Sequence, residues 1–185
     1  MGRIDYTDTI REKTGIDILK ADDSAIRQAL EKFGIAVHAS DSRGRLIDGL
    51  WKYCRKSIAG PVFLVNHPVS VSPLAKRKED NPELTERYQL IIAGSELANG
   101  YSELNDPIDQ AARFAEQRAM REAGDREAQM YDYEFVEALE HGMPPTTGLG
   151  ISERLFSFLE NRPIRECVLF PLVKPVPAKD DGSSV

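Results

Sequence analysis

The feature that most constrains the fold of this chain is a pair of apolar runs that meet at a tight polar bend. Residues 88–94 and 99–104 predict two paired strands. Alternate residues of a strand project from the same face of a sheet. Asn99, Tyr101 and Glu103 are therefore expected side by side on one face of the second strand.

This face offers an amide, a phenol and a carboxylate, and two interpretations of the set remain open. Such a set suits a primary ammonium group on an aliphatic stem, because the carboxylate pairs the charge, the amide supplies a hydrogen bond and the ring covers the stem. The alternative is an exposed polar strand face beside a turn, which is common on antiparallel sheets. Glu96 lies outside the alternation, close to the bend, where it is available to a metal or a phosphate.

Composition places the chain among soluble globular proteins. With 185 residues, 41% of them hydrophobic and 29% charged, the chain is long enough for one domain with a sizeable core. A net charge of -6 excludes a global basic footprint for nucleic acid, and no apolar stretch approaches the length of a membrane span. Cys54 and Cys167 lack a paired spacing, which indicates two buried free thiols of a cytoplasmic protein.

Helix and strand signals alternate along the chain. Three helices are predicted before residue 60, ended by Gly15, Gly34 and Gly60, and residues 61–66 predict a buried strand. Asp106 followed by proline predicts the start of a helix that buries Ile108 and several alanines.

Later signals predict four more elements, which are a helix from residue 132 or 133 to 142, a strand over 146–151, a helix capped by Ser152 and a final strand over 167–172. The helix capped by Ser152 is expected to bury a stripe of Leu155, Phe156 and Leu159. Helices followed by antiparallel strands with helical insertions predict an α+β domain.

The run from Glu96 to Asp106 resembles, without a gap, the pattern E-x-x-N-G-[FY]-S-E-L-N-D of the amino-acid pocket in class II lysyl-tRNA synthetases. The resemblance continues through residues 71–76 and 138–146 and ends in a motif-3-like segment, 148–155, followed by 168–172. It is strong over residues 60–176 and loose over 3–59. It implies a class II synthetase-like antiparallel sheet flanked by helices, of which this chain would be the C-terminal half of the catalytic domain.

The resemblance also implies roles for individual residues. Glu103 would accept the ε-ammonium group of lysine, with Asn99 and Tyr101 completing the pocket. Glu96 corresponds to a family carboxylate that binds Mg²⁺ near the ATP phosphates. The second family carboxylate lies seven residues earlier, where this chain has Gln89, an amide without negative charge.

Motif 3 implies an ATP site. Arg154 matches the catalytic arginine that contacts the ATP phosphates, and its place at a helix start suits an anion. Gly148 and Gly150 would let ATP approach the strand closely. The segment is one residue shorter than the usual family pattern.

The resemblance implies a lysine–tRNA ligase that activates L-lysine with ATP and Mg²⁺ and transfers it to tRNA-Lys, with no membrane partner and room for a homodimer. It divides the chain into a helical connecting region (1–60), part of the catalytic domain (61–176) and a flexible tail (177–185). Motifs 1 and 2 and the anticodon-binding domain are not recognisable before residue 60, so the chain is expected to be inactive alone. The alternative is a free-standing, non-catalytic synthetase-like module that binds lysine, ATP or a protein partner.

Overall fold

The structure is a computed structural model that describes residues 1–125 and 128–172. Residues 1–151 form one compact unit, and the chain from Ser152 onward forms a second. The tail expected over 177–185 lies outside the described residues. Over the described part, no helix is both long and apolar enough to cross a bilayer.

A single mixed sheet is the framework of the first unit. Its strands follow one another in space as they do along the chain, with the first pair parallel and the rest antiparallel. The strands are β1 (Gly2–Asp5), β2 (Val62–Val65), β3 (Arg87–Ile92), β4 (Ser95–Ser102) and β5 (Thr147–Ile151). The antiparallel hairpin predicted from the sequence is thus confirmed as β3–β4, and β1 is an addition that the sequence did not signal.

Helices connect and flank these strands. The helices of the first unit are α1 (Tyr6–Thr14), α2 (Asp23–Lys32), α3 (Arg43–Arg55), α4 (Pro107–Glu122) and α5 (Tyr133–Glu140), with a 3-10 turn at Val69–Val71. The second unit has α6 (Glu153–Glu160) and α7 (Ile164–Cys167). Except for α7 and the 3-10 turn, each begins behind an aspartate or serine whose side chain accepts a backbone N–H of the first turn. The α+β prediction is confirmed.

The core of the first unit lies between α1–α3 and one face of the sheet. Leu64 of β2 and Ile91 of β3 are fully buried in the same cluster as Ile10 of α1 and Leu50 of α3. Burial of one such side chain contributes about 1.5–3 kcal/mol. The helices therefore cover this face above β2 and β3, and the core does not extend over β4 and β5.

The hairpin turn lies earlier than expected. Ala93 and Gly94 both have positive φ, 50° and 70°, as a two-residue primed turn requires. As a result β4 begins at Ser95, and Glu96 belongs to the strand instead of to a separate bend.

Four expectations about burial are wrong. Ile108 is 81% exposed, because the inner side of α4 faces backbone carbonyl groups and carries Gln110 and Arg113. The expected buried stripe of α6 is absent, since none of its residues is buried. Residues 168–172 form no strand, and the apolar side chains at 169, 170 and 172 are at least 92% exposed, without the burial that stabilises such a strand. Both cysteines are free, but Cys167 is only half-buried.

Candidate functional site

The strand register gathers the expected pocket residues on one face of the sheet. Residues directly opposite each other on neighbouring strands project from the same face. Four positions lie opposite the two strand residues of the expected pocket, with Gln89 and Gly150 facing Asn99, and Arg87 and Gly148 facing Tyr101. This is the face that the core helices cover above β2 and β3, and Asn99 and Tyr101 on β4 lie outside that core.

An irregularity in the ladder brings Glu96 onto this face as well. Leu90 pairs with Ala98, but the next residue, Ile91, pairs with Glu96 and skips Leu97. Such a bulge reverses the alternation beyond it. Glu96 therefore shares a face with Asn99, and the expectation that it lies outside the alternation is wrong.

Glu103 lies just beyond the end of β4, where two backbone contacts hold it. It forms an isolated bridge with Ala75, and its N–H donates to the carbonyl oxygen of Thr146 at 2.9 Å. Its carboxylate leans over Gly148, where a Cβ atom would lie only 2.5 Å from Oε1. The glycine thus leaves the space that this carboxylate occupies.

The charge on Glu103 is not compensated within the described residues, where no ion pair to it is found. Partial burial raises its pKa. Burial and then the nearby charge of Glu103 raise the pKa of Tyr101, which indicates that the phenol and the carboxylate are neighbours. A partly desolvated carboxylate beside an aromatic ring favours a cation.

The sequence did not single out Arg87, which lies on this face of β3, opposite Tyr101. Its Nε donates to Asn99 Oδ1 at 2.8 Å, and its Nη1 donates to the carbonyl oxygen of Val71 at 2.7 Å and to Ser72 Oγ at 3.1 Å. Burial lowers its pKa, while Glu96 favours its charged form. The signal that could have identified it is its alternation with Gln89 and Ile91 along β3.

A buried arginine also supports the site from α4. Arg113 is 3% exposed and donates to two carbonyl oxygens of segment 72–75, at 3.0 and 2.6 Å. It also donates to both carboxylate oxygens of Asp109, and Arg77 donates to the same two oxygens. Burial alone would raise the pKa of Asp109, but the two guanidinium groups outweigh it and hold the pKa at about 2. The network fixes the segment that pairs with Glu103.

The described residues contain too few ligating side chains in one place to hold a metal ion by protein groups alone. They contain no group of three or more His, Cys, Asp or Glu side chains that could hold an ion. Glu96 is half-exposed, whereas Gln89 is buried and its Oε1 atom has no hydrogen-bond partner there. Because Mg²⁺ is commonly held by one or two carboxylates together with substrate phosphates, Glu96 fits such a role and the buried amide does not.

The expected ATP residues are divided between the two units. Gly148 and Gly150 belong to β5, where they carry no side chain that would cover the sheet face. Arg154 belongs to the second unit, in the first turn of α6, and its N–H donates to Ser152 Oγ at 3.2 Å. Its contact with ATP phosphates stays a prediction.

Comparison with known proteins gives one family. The model of the tRNA synthetases of class II (D, K and N) matches residues 1–174. Several curated relatives carry the name lysine–tRNA ligase. The protein of Thermotoga sp. (strain RQ2) is 50% identical over 175 residues, which cover 94% of this chain and 35% of the relative.

Two further relatives agree. The lysine–tRNA ligase of Thermosipho africanus is 47% identical over 97% of this chain and 36% of its own length, and that of Porphyromonas gingivalis is 46% identical over 94% and 30%. The chain thus spans about a third of the length of these relatives. The match of the family model over almost its whole length shows that the chain belongs to the class II tRNA synthetases of the D, K and N group.

Proposed function

We propose that this chain carries the lysine-binding side of a lysine–tRNA ligase active site. The observation that carries the proposal is the carboxylate of Glu103, which leans over Gly148, follows Tyr101 by two residues and has no ion-pair partner in the described part of the chain. A lysine ε-ammonium group would supply the missing charge. The names of the relatives support the choice of lysine among the amino acids of this family.

In this proposal each residue has a separate task. Glu103 pairs with the ε-ammonium group, the ring of Tyr101 covers the aliphatic stem, and Asn99 offers a polar contact at the other end of the row. Ala75 and Thr146 hold the backbone of Glu103, which limits how far the carboxylate can move. A pocket preorganised in this way loses little conformational entropy on binding.

ATP would complete the reaction of the whole enzyme. Arg154 would contact its phosphates, Gly148 and Gly150 would allow it to lie against β5, and Glu96 would bind Mg²⁺ carried by the triphosphate. Held there, Mg²⁺ would supply neutralisation of phosphate charge, while the lysine carboxylate would attack the α-phosphate and pyrophosphate would leave. A homodimer, tRNA-Lys as acceptor and a cytoplasmic location stay predictions of the resemblance.

Calorimetric titration of the 185-residue chain with L-lysine tests the lysine site. We expect binding of lysine and much weaker binding of norleucine, which keeps the stem and lacks the ε-amino group. Glu103→Gln keeps the shape but removes the charge, and it should weaken lysine binding about tenfold or more. Glu96→Gln is the matched control and should leave it unchanged. Equal affinity for lysine and norleucine would contradict the proposal.

The buried amide of Gln89 favours a second candidate, a non-catalytic module that binds lysine or ATP. An amide in place of a second carboxylate lowers the negative charge available to a metal. Lysine-dependent exchange between ATP and pyrophosphate separates the two. We expect no exchange from this chain alone. Exchange that appears when the chain is extended by the segment that the longer relatives contain would decide for the ligase. Lysine binding with no exchange, either by the chain alone or by the extended chain, would decide for the non-catalytic module.

A further inference from the structure

The orientation of the Asn99 amide is determined by its neighbour on β3. Arg87 Nε donates to Asn99 Oδ1 at 2.8 Å. A guanidinium group has only donors, so it can accept nothing from an amide NH₂ group. The reverse orientation of Asn99 would set two donors against each other at the same distance. The hydrogen bond therefore fixes which end of the amide meets Arg87.

The consequence is that Asn99 presents its NH₂ group away from Arg87. Asn99 Nδ2 has no hydrogen-bond partner within residues 1–125 and 128–172, and the side chain is half-buried on the face that also carries Tyr101. An NH₂ group donates, so it suits a carboxylate or carbonyl oxygen and cannot serve an ammonium group. Glu103, an acceptor, lies four residues further along the chain. The row of polar residues thus has a hydrogen-bond donor at the Asn99 end and an acceptor at the Glu103 end.

Arg87 is itself held in place. Besides Asn99 it binds the carbonyl oxygen of Val71 and the hydroxyl group of Ser72, so three hydrogen bonds to two separate segments restrain its guanidinium group. It lies opposite Tyr101 in the strand register and carries no ion pair to a carboxylate in the described residues. Its Nη1 is held by segment 71–72 while its Nε–H is directed at the amide oxygen of Asn99, an arrangement that orients the amide and pairs no charge.

We propose that Arg87 is a positioning residue that sets Asn99 as a hydrogen-bond donor to the ligand, and that it acts on ligand affinity only through Asn99. The inference rests on the proposed function, because it takes the ligand to be an amino acid with a distal ammonium group. Arg87 itself does not touch the ligand. Without it the amide of Asn99 can turn over, and the donor is lost for part of the time.

A double-mutant cycle measured by calorimetry with lysine tests this role. Arg87→Lys keeps the positive charge but not the directed Nε–H, and it should weaken lysine binding about tenfold, which corresponds to one hydrogen bond. In the Asn99→Ala background the same substitution should change the affinity less than about twofold. Equal losses in both backgrounds would overturn the proposal, because they would mean that Arg87 acts independently of Asn99.

Cadaverine, which is lysine without its carboxylate, separates a positioning role from general damage to the pocket. Cadaverine should bind the Arg87→Lys variant about as well as it binds wild type, since it has no carboxylate to accept from the Asn99 NH₂ group. A loss as large as that of lysine would contradict the proposal.

Nuclear magnetic resonance tests the hydrogen bond without any ligand. The Arg87 Nε–H signal of the wild-type chain should exchange slowly with water and shift in Asn99→Ala. An unchanged signal would refute the positioning role whether or not lysine binds. Failure of wild type to bind lysine, with the shift present, would instead count against the proposed function.

Discussion

Replacement of Gly148 by alanine should weaken lysine binding without unfolding the protein. The Cβ atom added at this position would lie 2.5 Å from Glu103 Oε1, whereas ordinary contacts begin at about 3.4 Å. The carboxylate must therefore move by about 0.9 Å. The next atom, Glu103 Cδ, is already at an ordinary distance of 3.7 Å, so rotation of the carboxylate relieves the clash.

The expected magnitude follows from the contact that is displaced. A hydrogen bond to a charged group contributes about 1.5–3 kcal/mol, so the dissociation constant for lysine should rise about 10- to 100-fold. The free energy of unfolding should change by less than about 1 kcal/mol, because the clash involves the flexible end of a side chain and no backbone atom.

Calorimetric titration with lysine and thermal denaturation give the two measurements. Gly150→Ala is the matched control on the same strand, since its Cβ would meet nothing closer than the carbonyl oxygen of Asn99 at 3.8 Å. It should leave both quantities unchanged. Unaltered lysine affinity in Gly148→Ala, or equal losses in both variants, would refute the placement of the Glu103 carboxylate over Gly148.

Three further predictions concern stability. Asp109→Asn should cost about 1–2 kcal/mol near pH 7, because the folded pKa of Asp109 is held at about 2, below its ordinary 3.8. That stabilisation is complete above about pH 4 and is lost as pH falls through 2, so urea unfolding curves of variant and wild type should converge there; a constant gap would contradict it. Gly60→Ala should lower the melting temperature, since Gly60 has a φ of 69° and its Cβ would strike the carbonyl oxygen of Ile91. Leu50→Ala should cost about 2–5 kcal/mol in chemical denaturation, because Leu50 is fully buried, and a loss below 1 kcal/mol would contradict its place in the core.

Local signals account for the part of the fold that could be predicted. The predicted helix starts at Asp106 and Ser152 depend on a side chain that meets backbone N–H groups two or three residues later, and the structure has both caps. The hairpin and the shared face of Asn99 and Tyr101 follow from the strand period of two. These features involve neighbours in the chain, which the sequence displays directly.

Other features depended on residues far apart in sequence. The inner side of α4 carries Gln110 and Arg113 beside Phe114, because segment 72–75 presents carbonyl oxygens to it, and Ile108, which the helical period favoured, is outside. The backbone contact of Glu103 with Ala75, almost thirty positions earlier, has no local signal either. Periodicity describes a single element and says nothing of what covers it.

The sequence by itself determined the family of the chain, the strand with Asn99, Tyr101 and Glu103, and the chemistry that these side chains offer. Tertiary structure alone decided that Glu96 shares their face, because a bulge at Leu97 reverses the alternation, and that an arginine on the neighbouring strand orients Asn99. The physical reason is that side-chain types and their period are properties of one segment. Register and hydrogen-bond partners arise only when separate segments come together.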